Sequence, residues 1–177
     1  MLLCTACNRR HVAITPVHAP YVKVRNIQLK VPAPGGLPTA EQAKLACEKD
    51  QKNGRLWFEF ALTLYRDSRY GEALAVLNSR SVQPLSRTAV LYWSGLCNLG
   101  LNKHENAEAC FVELTAISKQ KPRLHSKELS LLAYTYYLEF KDQESLRCCK
   151  DALAEDKDNL RAQNIQKEIL VEQRGAR

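Results

Sequence analysis

The residues best suited to chemistry stand near the start of the chain: Cys4 and Cys7, separated by Thr5 and Ala6, then His11 and His18. Two thiolates and two imidazoles satisfy a tetrahedral zinc ion, and a two-residue gap lets both sulfurs reach one metal. A strong zinc signature adds a second closely spaced pair, about three to five residues apart. His11 and His18 are seven apart. A zinc-stabilised arm is therefore the lesser reading, and cysteines exposed or packed on a partner are expected instead.

No catalytic pattern emerges elsewhere. The four histidines, His11, His18, His104 and His125, fall in the N-terminal segment or at expected turns. No motif sets a serine, cysteine or carboxylate beside them. There is no glycine-rich phosphate loop, HExxH or calcium loop. Glu41 with Glu48 and Asp156 with Asp158 read as solvated helix ends. Neither enzymatic activity nor a cofactor is expected. Seven cysteines is an odd count, no secretory signal is recognisable, and Cys47, Cys97 and Cys110 occupy places suited to small apolar residues. Reduced thiols in an intracellular protein account for them.

The elements that would carry any functional surface follow from a repeat. Tyr70-Gly71-Glu72-Ala73-Leu74 and His104-Glu105-Asn106-Ala107-Glu108 are equivalent at a spacing of 34 residues. Trp57 and Ala61 precede Ala73 as Leu91 and Gly95 precede Ala107, and Leu77 and Phe111 follow alike. A third copy, Leu129, Ala133, Tyr136, Tyr137, Ser145, Cys149 and Ala152, comes 38 residues on, with 119–123 expected to lengthen the preceding turn. A period of about 20–50 residues marks stacked supersecondary units. The pattern resembles the tetratricopeptide repeat over roughly residues 54 to 160. It departs from that family at Asn98, Ser145 and Lys157 and in the positions of Pro84 and Pro122.

Local physics leads to the same units. Trp57, Phe60, Ala61, Leu64 and Tyr65 fall at helical spacing, Ser68 and Arg69 interrupt, and Ala73, Leu74, Val76 and Leu77 resume on a second helix. Small residues at Ala61, Ala73, Gly95, Ala107 and Ala133 let paired helices approach closely. Upstream, Thr39 and Gln42 form a capping box for a helix whose apolar side is Ala43, Leu45, Ala46 and Cys47, stopped by Asn53-Gly54. Downstream, Asp158-Asn159 opens a capping helix over 160–173, with Ile165, Ile169 and Leu170 as its apolar side. The expected fold is all-α: a helical-hairpin solenoid of about eight helices, with repeats at 54–87, 88–121 and 126–159 in a domain spanning 39–177, and a proline-rich arm over 1–38.

The resemblance implies a concave groove lined by the first helix of each pair. Its residues would be Phe58, Leu62 and Tyr65, then Tyr92, Leu96 and Leu99, then Ser130, Tyr134 and Tyr137. The structural alternative is that part of this stripe is core between repeats. Chaperone-binding members of the family grip a C-terminal carboxylate with lysine, arginine and asparagine at these places. Here Arg55, Arg66 and Lys127 only flank the stripe and the inner asparagines are missing. An amphipathic helix or extended apolar peptide is the expected ligand.

The arm differs in chemistry. It holds five of the seven prolines and no acidic residue, and Arg9, Arg10, Lys23, Arg25 and Lys30 give it +5 of the formal net charge of +7. The helical domain is thus close to neutral, so a nucleic-acid surface is not expected and an RNA-associated role ranks last. Arg9, Arg10, Lys23 and Arg25 are the candidate contacts to neighbours. The partly alternating stretch 21–31 would lie extended, either on a partner or on the chain's own helices. An acid-free, arginine-bearing start makes a mitochondrial location the alternative to a cytoplasmic one, although the arm lacks serine. The segment 171–177 contains no apolar run near the ~20 residues needed to span a bilayer, so the likeness to membrane-tailed fission adaptors stops there. The expected role is a non-enzymatic scaffold subunit of a larger intracellular complex, with a free-standing groove-binding adaptor as the alternative.

Overall fold

The computed structural model describes residues 38–79 and 86–175. Among them are eight α-helices and no strand: α1 (Ala40–Lys49), α2 (Gly54–Arg66), α3 (Tyr70–Leu77), α4 (Arg87–Gly100), α5 (His104–Ser118), α6 (Pro122–Leu138), α7 (Asp142–Glu155) and α8 (Leu160–Gly175). Each helix packs against the next in sequence, and α6 also meets α8.

The start of α1 is the expected capping box. The Gln42 amide donates to Thr39 Oγ1 at 3.3 Å, and the Thr39 amide donates to Gln42 Oε1 at 3.0 Å. Ala40, Ala43 and Cys47 form the buried stripe, whereas Leu45 is 55% exposed. Two residues from both Ala43 and Cys47, Leu45 points about 200° around the axis from each. Asn53-Gly54 does not stop α1, which has already ended at Lys49; Gly54 opens α2.

The 34-residue echo reappears in the backbone. Ser68, Asn102 and Phe140 have φ of 60°, 56° and 60°, the left-handed region that L side chains seldom adopt. Each ends the first helix of a pair. The following amide reaches back five residues, Arg69 to Leu64 O at 2.9 Å, Lys103 to Asn98 O at 2.9 Å and Lys141 to Tyr136 O at 3.0 Å. These are three copies of one Schellman turn. The longer third interval does not come from a longer turn. Helix α5 runs to Ser118 and Pro122 opens α6, so most of the extra residues are helical. Proline suits that first helical position because its missing N–H has no intrahelical partner there.

Small residues set the packing distance. Ala61, Ala73, Ala107 and Ala133 are essentially inaccessible. At Gly95 an added Cβ would lie 2.5 Å from Phe111 Cε1 and 2.6 Å from Cζ. Ser145, which stands where the other pairs have alanine, is also fully buried, and its Oγ donates to Ala133 O at 2.8 Å. Helices α6, α7 and α8 are further joined through polar atoms. Ser126 Oγ donates to Ala152 O at 2.8 Å, and Asn159 Nδ2 donates to Ser126 O at 3.0 Å and Oγ at 2.9 Å. Asn159 Oδ1 accepts from the Ala162 amide at 3.1 Å, capping α8. Ile165 and Ile169 of that helix are buried, but Leu170 is 41% exposed.

Two alanine substitutions should separate propensity from packing. Gly95→Ala is expected to lower stability by ~1–3 kcal/mol, because the buried Phe111 ring must move. Gly71→Ala, with nothing within 4 Å of the added Cβ, is expected to raise stability by ~0.5 kcal/mol. Urea unfolding followed by circular dichroism reads both, and a stable Gly95→Ala protein would contradict the packing argument.

Candidate partner-binding site

The inward stripe of first-helix residues divides by depth. Phe58, Leu96 and Tyr137 are core, at 3%, 4% and 4% exposure, and Ser130 is buried with them. Leu62, Tyr65, Tyr92, Leu99 and Tyr134 are half-buried. Tyr137 is deep because α8 covers it: its hydroxyl donates to Glu172 Oε1 at 3.2 Å. Leu96 is deep because it shares a cluster with Ala107, Phe111 and Leu114 of α5. Those positions hold the fold together and leave the half-buried members as the candidate surface.

These form a connected row. Tyr70 and Tyr65 have ring centroids 5.3 Å apart, Tyr65 and Trp93 5.1 Å in an edge-to-face contact, and Trp93 and Tyr92 5.4 Å in another. Such pairs contribute ~0.5–1.5 kcal/mol beyond area burial and fix each ring's direction. Tyr70 and Trp93 were not among the residues expected to line the groove. Tyr70 joins the row because the turn at Ser68 precedes it and opens α3 beside α2, and Trp93 joins it from α4 through its contact with Tyr65.

At its other end the row meets a cation. Arg161, in the first turn of α8, donates from Nη1 to Ser130 Oγ at 3.3 Å and interacts electrostatically with both Tyr92 and Tyr134. Burial pulls the guanidinium pKa down, and the two tyrosines oppose that. Burial likewise pushes the phenols of Tyr92 and Tyr134 up, and that of Tyr65 to about 12. All three remain neutral hydrogen-bonding groups at physiological pH.

Glu128, whose charge acts on Tyr92, is 3% exposed, with Oε2 lacking a hydrogen-bond partner among the described residues. Burial raises its pKa, against the opposing influences of Ser118, His125 and Lys121. Among the cysteines, Cys47, Cys97 and Cys149 are buried, but Cys110 is only partly so. Burial raises the thiols of Cys97 and Cys149 to about 12, well away from reactive thiolates.

Cys4, Cys7, His11 and His18, and the arm contacts Arg9, Arg10, Lys23 and Arg25, lie outside the described residues. Among the described residues no cluster of histidine, cysteine and carboxylate could hold a metal ion, and no helix is long and apolar enough to cross a membrane. Fold and row together define, among the described residues, an all-helical domain of packed helices with a half-buried aromatic surface. Comparison with protein-family models, curated proteins and solved structures found no match.

Glu128 gives this region a pH signature. A carboxyl whose pKa is higher in the folded than in the unfolded chain binds its proton more tightly when folded. Its contribution to stability therefore falls as pH rises from the ordinary carboxylate range through the raised value. Glu128→Gln should raise Tm at pH 7.5, by ~2–4 °C for each ~1 kcal/mol recovered, and the gain should vanish below the ordinary carboxylate range. Thermal scans of both proteins across pH 3.5 to 8 check this; an equal offset at every pH would exclude a charge effect.

Proposed function

We propose that this chain is a non-enzymatic protein–protein interaction module, built as a tetratricopeptide-type solenoid, that holds an apolar or amphipathic helix of another protein against its aromatic row. What supports this reading is the row itself: Tyr65, Tyr70, Trp93, Tyr92 and Tyr134 are half-buried on helices whose deeper residues already complete the core. Large amphipathic rings with few rotatable bonds supply contact area at low entropic cost, which is why aromatic anchors dominate binding surfaces. Of these, Tyr65, Tyr92 and Tyr134 stand at first-helix positions that the resemblance assigns to the groove, on α2, α4 and α6.

The setting we favour is a scaffold subunit of a larger intracellular assembly. It is supported by apolar side chains outside the row: Leu160 is 70% exposed and Val171 55% exposed on α8, and Phe140 is 65% exposed at the last Schellman turn. The alternative is a free-standing adaptor in which the row alone makes contact. Under both readings the basic arm supplies further contacts through Arg9, Arg10, Lys23 and Arg25.

Affinity purification followed by reconstitution with the recovered partner tests the module. Tyr65→Ala and Tyr134→Ala are each expected to weaken the complex ~30-fold, the ~2 kcal/mol typical of an aromatic anchor, while the helical circular dichroism is retained. Leu160→Ser with Val171→Ser should release a scaffold subunit from its assembly and leave an adaptor unaffected. Undiminished partner recovery by the double tyrosine variant would remove the groove from consideration.

A further inference from the structure

Arg161 is placed at a disadvantage for the fold. It is half-buried, it sits in the first turn of α8, where the helix dipole disfavours a cation, and no carboxylate pairs with it among the described residues. Of the other described arginines, Arg55, Arg66, Arg69 and Arg87 pair with Glu59, Asp67, Glu72 and Glu113, and Arg123, Arg147 and Arg174 are exposed to water. Glu128, the acid felt by Tyr92, is buried against Ser118, His125 and Lys121 and does not serve Arg161. Local rules are broken most often where function needs it.

The guanidinium has donors to spare for an acceptor. A guanidinium presents five N–H donors in a planar fork that matches a carboxylate. Ser130 Oγ, itself donating to Lys127 O at 2.7 Å, accepts from Nη1, and no other acceptor for Arg161 occurs among the described residues. The phenols of Tyr92 and Tyr134 stand beside it.

We infer that Arg161 is the specificity contact of the aromatic row, receiving the carboxylate of an aspartate or glutamate within the apolar helix that the row holds. The inference rests on the reading of the row as a partner-binding surface. An internal side chain fits better than a chain terminus. The groups shown to interact with the guanidinium are Ser130, by a hydrogen bond, and Tyr92 and Tyr134, electrostatically, with no lysine or asparagine that would hold the backbone of a terminal residue. The continuous aromatic row suits apolar residues flanking a single acid. Charge complementarity thus selects one acidic residue in an otherwise apolar segment, because a partly desolvated charged hydrogen bond outweighs a neutral one.

The test uses the full chain and two phage libraries of random peptides about 14 residues long, one fused at the peptide C-terminus and one displaying it free. The fused library should yield apolar, aromatic-rich peptides with an aspartate or glutamate at a fixed place. In a synthetic copy, changing that acid to its amide should weaken Kd ~10-fold for the wild type, the effect of a charge-assisted bond. Against Arg161→Gln the same change should alter Kd by less than ~2-fold. Should that variant lose its helical circular dichroism, Arg161→Lys replaces it. Lysine keeps the charge but not the fork, so the acidic peptide should bind at least ~3-fold more weakly while the amide peptide is unaffected.

Apolar peptides selected without an acid, an unchanged acid preference in the Arg161 variant, or selection confined to free C-termini would each overturn the assignment while leaving the row a binding surface. Failure of both libraries to yield any peptide would overturn the row as a peptide site and this inference with it.

Discussion

How closely two helices can approach is the constraint on which the rest of this structure depends. Gly95 and Phe111 show it at its tightest: the ring occupies the space a Cβ would fill, so α4 and α5 meet at a distance that alanine would not permit. Ala61 with Leu77 and Ala133 with Cys149 occupy the corresponding places in the neighbouring hairpins. Each short helix buries too little alone to offset its ordering entropy. Close pairing lets the apolar faces combine, and the shared turn geometry at Ser68, Asn102 and Phe140 fixes how each pair enters that contact. Residues one turn away from the contact then have only half their surface covered. That is how Tyr65, Tyr92 and Tyr134 come to be partly exposed in a fold that buries Leu64, Leu96 and Ala133 beside them.

The C-terminal helix is held differently. Where the earlier pairs rely on small side chains, α8 is tied to α6 through Asn159, whose amide satisfies the buried Ser126 while its carbonyl caps the helix. Polar groups buried this completely are stabilising only when every donor and acceptor is matched, and the matching is directional. The network therefore fixes the rotation of α8 more narrowly than apolar packing would. Rotation decides which side chains of α8 turn toward α6: Ile165 and Ile169 enter the core, Glu172 reaches Tyr137, and Arg161 comes to rest against Ser130.

Much of this was legible in the sequence because it is local or periodic. The capping box at Thr39 and Gln42 needs only three residues. The repeat spacing carries through to the backbone at Ser68, Asn102 and Phe140, although no glycine marks those turns. The small residues at the contacts are visible as such. What periodicity cannot supply is depth. It gives the side of a helix on which Phe58, Leu96 and Tyr137 lie, but Phe58 is buried in a cluster with α1, Leu96 in the α5 cluster and Tyr137 under α8. Leu45 and Leu170 show the converse, apolar residues adjacent in sequence to a buried stripe but rotated off it.

Arg161 was the residue the sequence concealed most fully, for a physical reason. On a charged, amide-rich helix one more arginine reads as part of a solvated outer face, and only the orientation of α8 shows that it faces inward. That orientation depends on Asn159 and Ser126, which lie 33 residues apart and show no charge or apolar pattern. The polar network and the unpaired cation are therefore one design problem seen from two sides. A looser, purely apolar attachment of α8 would let Arg161 swing toward water, where its charge would be solvated and its direction lost. Directional hydrogen bonds hold the guanidinium beside Tyr92 and Tyr134 despite the desolvation it suffers there.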